Sequence, residues 1–324
     1  MMPQLSRRDF IAGGALSLAA SSLLSPHRAP APAAHPAVSI VRQPAYTQDL
    51  YDAVRRSIAL HNLNVRGRRV VLKPNLVEFD PARAINTHPM LVHAALEAFR
   101  ALGAAGVSIA EGPGHRRATL DMAEAAGYFA TIPDFEDIFT DLNLDEVSLV
   151  GLSNPHSTLN SLYLPHTALS CDLLVSMPKL KTHHWAGATV SMKNLFGVVP
   201  GGVYGWPKNI LHWAGIPECV ADLSAAFPHT FALVDGVIGM EGNGPIQGTA
   251  KQVGVIVAGP DLAAVDATCC RIMGIDPQRV QYLTLARSAS DLKESAIPQR
   301  GEAICDVQTS FALLPQFESL RLMV

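Results

Sequence analysis

Four apolar runs along this chain end alike, in short stretches of Lys, Gly, Pro, Asn and His. Residues 69–72 (Arg-Val-Val-Leu) run into Lys73-Pro-Asn75, and residues 106–110 run into Glu111-Gly-Pro-Gly-His115. Residues 171–177 run into Pro178-Lys-Leu-Lys-Thr-His-His184, and residues 230–234 into Asp235-Gly, with Met240-Glu-Gly-Asn-Gly-Pro245 just beyond. Short apolar runs with such punctuation read as buried strands. Between the first two, residues 91–102 carry helical apolar spacing and stop at Gly103. That makes a β-α-β unit, for which parallel pairing is the default. A helix over 119–126 closed by Gly127, a strand over 253–258 and a helix over 263–273 ending at Gly274 continue the alternation. The pattern predicts an α/β fold: a mostly parallel sheet with flanking helices. In an open parallel sheet the carboxyl ends of the strands lie along one edge, where ligands bind. The four exits should therefore converge on one crevice.

With 324 residues, 48% of them hydrophobic and 16% charged, the chain can bury a large core, as one domain or as two lobes around that crevice. Residues 130–170 are poorly periodic and mark either a lobe boundary or an insertion. A net charge of −3 offers no footing for a nucleic-acid partner. The folded part is expected over 35–324. Residues 1–34 read as a targeting segment: Ser6-Arg7-Arg8-Asp9-Phe10-Ile11 is a twin-arginine pattern, followed by an apolar run and a Pro/Ala linker. The apolar run, 11–24, is shorter than the roughly 20 residues of a membrane span. The expectation is export by the twin-arginine machinery to the periplasm, with no stable membrane span after processing. The five cysteines include no C-x-x-C, so no iron-sulfur or zinc spacing is present, and most read as small buried hydrophobes.

Residues 179–212 concentrate the chemistry. Of seven lysines in the chain, Lys179, Lys181, Lys193 and Lys208 fall there, with His183, His184 and His212. Lys179 and Lys181 alternate with Leu180, share a face in an extended chain, and suit a phosphate or carboxylate. His183 is a candidate general base or metal ligand. His184, its neighbour, should point the other way and sit at the rim. Lys193 lies in an apolar, Gly-flanked segment, where an ammonium needs a carboxylate, a phosphate or a covalent partner. At the other exits Lys73, Asn75, His115 and Glu241 are candidates for binding or catalysis. The loop Gly242-Asn-Gly244-Pro-Ile-Gln-Gly248 has the wrong spacing for a dinucleotide fingerprint, but its glycines would let a ligand approach the backbone. Asp235 and Asp266 read as capping or turn residues, and His88 as a residue at a helix start.

The pieces Lys73-Pro-Asn-Leu76, Thr87-His-Pro89, Glu111-Gly-Pro-Gly114, Pro178-Lys-Leu-Lys-Thr-His183, Ser191-Met-Lys-Asn-Leu-Phe-Gly197, Gly239-Met-Glu-Gly-Asn-Gly-Pro245 and Ala264-Val-Asp-Ala267 together resemble the domain-of-unknown-function 362 family. They span roughly residues 40–290. A weaker resemblance is to the nickel-pincer lactate racemase family, whose His-x-x-Ala-Gly segment is followed by a Lys ten residues after the His. His183-His-Trp-Ala-Gly187 and Lys193 keep that spacing. The resemblance implies an acid/base role for His183, a nucleotide-cofactor anchor at Lys193 with Asn194 beside it, and a nickel ligand at His212. Gly114-His-Arg116 matches a further element. The racemase's first catalytic His is Asn86 in this chain, a departure that counts against a two-histidine racemisation.

Taken together, the residues predict an enzyme that binds a small anionic substrate or a phosphate-bearing or metal cofactor; the racemase resemblance implies hydride or proton transfer on a hydroxy acid. The alternative is a non-catalytic periplasmic carrier of a metal or anion.

Overall fold

The computed structural model describes residues 36–115 and 118–323. The twin-arginine stretch and Pro/Ala linker lie outside the described residues, as does Arg116. The strands are β1 (Val38–Arg42), β2 (Arg69–Pro74), β3 (Gly106–Glu111), β4 (Phe139–Asp141), β5 (Val147–Gly151), β6 (Ser161–Pro165), β7 (Leu173–Met177), β8 (Lys179–His183), β9 (Gly187–Thr189), β10 (Thr230–Glu241), β11 (Thr249–Gly259) and β12 (Gln299–Gly301). Among the described residues ten of them form one sheet, in the order β12-β1-β11-β10-β7-β2-β3-β4, with β8 branching from β10 and β9 paired to β8. β5 and β6 form a separate hairpin.

Period-two alternation covers the sheet on both faces. Val70, Leu72, Leu173, Val175, Phe231, Leu233, Ile256 and Ala258 enter one apolar cluster, with the helices Leu50–Ala59 and Pro89–Ala101. Their neighbours Val71, Leu174, Ala232, Val234, Val255 and Val257 enter the other, with the helices Ile216–Ala226 and Leu262–Ile272. Strands buried on both faces belong to sheets sandwiched between helices. The helix Pro89–Ala101 starts as its sequence suggests: Pro89 opens it and His88 Nδ1 accepts from the Met90 N–H at 3.2 Å.

The β2-helix-β3 unit is parallel, and so are β2/β7, β7/β10 and β3/β4. β10/β11 is antiparallel, because the short loop from Gly242 to Gly248 can only return the chain alongside itself, and β1/β11 is antiparallel as well. The run at 230–234 does not exit at Asp235. It continues to Glu241 through a register shift against β11 between Gly236 and Ile238, and along its other edge it pairs first with β7 and then with β8. Pro178, which has no N–H, separates β7 from β8, and its carbonyl accepts from Asp235 N at 2.8 Å. Residues 130–170 supply β4 and the β5/β6 hairpin; Leu162 and Leu164 of the hairpin pack into the core, and His35–Val324 forms one compact unit. All five cysteines are unpaired; Cys219, Cys269 and Cys270 are buried.

Candidate functional site

The exits of β2, β3 and β8 and the tail of the β10/β11 loop meet around a cavity of about 230 Å³. Lys73 and Asn75 come from the first exit; Glu111, Gly112, Gly114 and His115 from the second; Lys181, His183 and His184 from the third; Pro245 and Ile246 from the loop. The stretch after β9 closes it with Lys193, Asn194, Phe196, Gly197, Lys208 and His212. A larger hollow of about 420 Å³ near Asp222 and Arg287 contains none of these groups.

Four lysines line the cavity, against one carboxylate. Lys73 and Glu111 form a fully buried ion pair at 2.6 Å, and the Lys73 amine also donates to Pro74 O at 3.1 Å and Asn194 Oδ1 at 3.3 Å. Gly197 lies against this pair: a Cβ there would collide with Glu111 Oε1 and Lys73 Nζ, so only glycine lets the backbone pass. Lys208, held at φ 64°, donates to the carbonyls of Gly112, Phe196 and Gly197. Burial lowers its pKa to about 7. Lys181 donates to Ile85 O at 2.9 Å and Pro245 O at 3.3 Å and has no carboxylate partner among the described residues; burial, then the charges of Lys179 and Lys193, push its pKa well down.

Lys193 differs from these three. It is half-buried at the cavity wall, its amine 3.6 Å from the centre of the Phe196 ring, and among the described residues it makes no hydrogen bond. Burial, then the charge of Lys73, lowers its pKa to about 7. Its short helix, Ser191–Asn194, is anchored from outside: the Asp266 carboxylate accepts from Ser191 N at 2.8 Å and Met192 N at 3.1 Å. Asp266 thus caps, but a helix other than its own. Burial raises the pKa of Asp266 to about 7. Asn75 Oδ1 and Thr189 Oγ1, on residues lining the cavity, are buried and unpartnered. Buried polar atoms are normally satisfied, so such orphans call for a partner such as a ligand or water.

The two histidines face opposite tautomeric demands. His183 Nδ1 accepts from the N–H groups of Trp185 at 3.0 Å and Ala186 at 3.2 Å. A nitrogen that accepts carries no proton, so the neutral ring holds its proton on Nε2. Burial first, then the charge of Lys193, depress its pKa strongly and keep it neutral. His183 therefore offers a hydrogen-bond donor; the general-base and metal-ligand roles expected of it both need a lone pair that Nε2 does not have. His212 Nδ1 lies 3.3 Å from Lys208 O, which places its proton there and leaves the Nε2 lone pair open. Burial lowers its pKa as well. The signal distinguishing the two rings was absent from the sequence, because it lies in backbone hydrogen bonds. We expect nitrogen-resolved NMR to show His183 as the neutral Nε2–H tautomer from about pH 5 to 8; a protonated ring in that range would refute the assignment.

Other expected residues fall elsewhere. Lys179 is buried in an ion pair with Asp235 at 2.7 Å and a hydrogen bond to Tyr46 Oη at 2.8 Å, away from the cavity. Glu241 pairs with Lys251 at 3.2 Å and accepts from Ala312 N, and it does not line the cavity. The carbonyls of Gly242 and Gly244 brace the β8/β9 hairpin, accepting from Thr182 Oγ1 and His184 N. Gly244 allows that approach, since a Cβ would strike Thr182 O. His184 sits in the turn beyond β8, where strand alternation stops, so its ring stacks on His183 at 5.0 Å and both line the cavity. His115 is exposed at the mouth. Asn86 braces the loop after β2, bonding Val77 N and Glu78 O. Glu111 and Lys208 are the site residues that motif reading passed over.

The racemase resemblance implies a nickel-bearing nucleotide, which Lys193 and His212 would hold. Among the described residues no group of three or more His, Cys, Asp or Glu is placed to bind a metal. The cavity volume also falls below the roughly 300–1,000 Å³ usual for drug-sized ligands. The donor set and the volume do not fit a nucleotide-sized metal cofactor.

Comparison with known proteins places this geometry in a family. Over 254 residues the chain is 28% identical to a thylakoid-associated protein of Synechocystis sp., covering 75% of this chain and 76% of that protein. The lactate racemase apoprotein from Thermoanaerobacterium thermosaccharolyticum aligns with a TM-score of 0.42 and 18% identity, over 73% of this chain and 57% of that one. Residues 70–271, more than half of the chain, match the family described as Domain of unknown function (DUF362), and the chain belongs to that family.

Proposed function

We propose that this protein is an enzyme that binds a small carboxylate or phosphate-bearing molecule in the strand-exit cavity. The observation that carries the reading is the charge balance of the wall: four lysines and one carboxylate, the latter already paired with Lys73. Burial disfavours the charged form of these lysines, and a bound anion would restore it. His183 Nε2–H would donate to a ligand oxygen, and His212 Nε2 would accept a proton from it.

The sign of the pH dependence follows from Lys193. Its folded pKa is depressed from 10.5 to about 7, so without an anion the stability it contributes is present above 10.5 and lost as pH falls towards 7. Below about 7 the amine is charged and attracts anions. Sulfate, whose charge is fixed, should therefore bind more tightly as pH falls through 7 in calorimetric titrations, and Lys193→Ala should weaken it at least several-fold. Sulfate affinity that ignores both pH and Lys193 would sink the assignment.

Asn86 favours a second reading, a non-catalytic carrier of the same anion, because its side chain is engaged with backbone and supplies no acid or base. Saturable binding with no turnover of any carboxylate tested would select the carrier.

We also propose export through the twin-arginine route. Arg7-Arg8 in its context supports this, as does the similarity to a thylakoid-associated protein. No helix among the described residues is long and apolar enough to cross a membrane. Replacing Arg7 and Arg8 by Lys should hold the precursor in the cytoplasm; undiminished export would rule the route out.

A further inference from the structure

We propose that the Lys193 amine forms a reversible imine with the carbonyl carbon of a small 2-oxo acid held in the strand-exit cavity. The proposal rests on the anion-site reading and adds the substrate class and a covalent step to it.

Of the four cavity amines, three are buried and already donate to protein oxygens: Lys73 to Glu111, Lys181 to Ile85 and Pro245, Lys208 to three carbonyls. Lys193 alone of the four is only partly buried and without a hydrogen bond among the described residues. A nucleophile must be reachable and must present a lone pair, and near pH 7 a large share of this amine is neutral. The surrounding lysines supply what a bare aldehyde would not need and an oxo acid does: amine donors whose charged form a bound carboxylate would stabilise. Lys181, which among the described residues meets only the Ile85 and Pro245 carbonyls, is one such donor. The cavity of about 230 Å³ limits the acid to a small one.

The step balances without an oxidant or reductant. The Lys193 nitrogen lone pair adds to the carbonyl carbon as the C=O π pair moves onto oxygen. One amine proton passes to that oxygen, giving a carbinolamine. The hydroxyl then leaves as water with the second amine proton as C=N forms. His183 Nε2–H offers a hydrogen bond to the oxygen, and His212, with an open Nε2, can relay the protons.

The test treats the full protein with pyruvate and cyanoborohydride, followed by intact mass and peptide mapping. Reduction should fix a single adduct, equal in mass to pyruvate less one oxygen, on Lys193. Lys193→Arg should abolish it, with thermal melting confirming the fold, and Lys251→Arg, on the surface pair with Glu241, should leave it unchanged. Excess sulfate should suppress it. Sulfate binding measured by calorimetry without any adduct would overturn the imine and leave the anion site standing. Absence of both would overturn both, and an adduct on other lysines alone would overturn the imine.

Discussion

Glu111→Gln should destabilise the protein by about 3–5 kcal/mol, the usual cost of removing one partner from a buried ion pair. The side chains of Lys73 and Glu111 are 0% and 2% exposed, and the pair is 2.6 Å apart. Without the carboxylate charge, the Lys73 ammonium would sit in a wall that already holds three more lysines. The Gln side chain keeps shape and one hydrogen bond, so the loss reports the charge and not a void. Denaturant unfolding measures it. Lys73→Met combined with Glu111→Leu should recover most of the loss, because two apolar groups leave no charge unpaired. A loss below 1 kcal/mol for Glu111→Gln would show that Lys73 is held neutral, and would undo the charge balance on which the anion site depends.

The second large effect lies outside the cavity. Asp235→Asn should also cost about 3–5 kcal/mol. Its carboxylate is fully buried and accepts from Lys179 Nζ at 2.7 Å, Tyr46 Oη at 2.7 Å and His88 N at 2.8 Å. Burial, then this carboxylate, raises the pKa of the Tyr46 hydroxyl, so the phenol stays a donor. The Tyr46 ring also stacks on His88 at 3.7 Å. One carboxylate thus ties β10 to β8, to the segment after β1 and to the start of the helix Pro89–Ala101. The substitution should lower stability and leave sulfate affinity, measured well below the melting temperature, nearly unchanged. Equal loss of both would mean that Lys179 serves the anion site after all.

Much of this layout was legible in the chain. The runs ending at Lys73, Glu111 and Met177 are strands, and the helices between 89 and 101 and between 262 and 272 start and stop within a residue or two of their expected positions. Asp235-Gly236 misled, because a polar pair after an apolar run reads as an exit. Here the aspartate is neutralised inside the sheet by Lys179, which lies beside it in register on β8. Glu241 misled for a related reason: its partner, Lys251, lies across the β10/β11 hairpin, a pairing that depends on register.

The sequence by itself determined the alternation of strands and helices, the clustering of Lys and His after β7, and the edge of the sheet where they gather. These follow from local periodicity and from the fixed direction of a parallel strand. Tertiary structure decided what each of those groups can do. Lys179 and Lys181 are two residues apart with the same local pattern, yet one meets a carboxylate and the other only carbonyls. His183 became a donor because two backbone N–H groups from the following turn occupy its Nδ1. Asn194 reaches Lys73, while Lys193, next to it, faces the Phe196 ring and makes no hydrogen bond among the described residues. The charge and proton state of a buried group depend on the atoms packed around it, and those come from segments far apart in the chain.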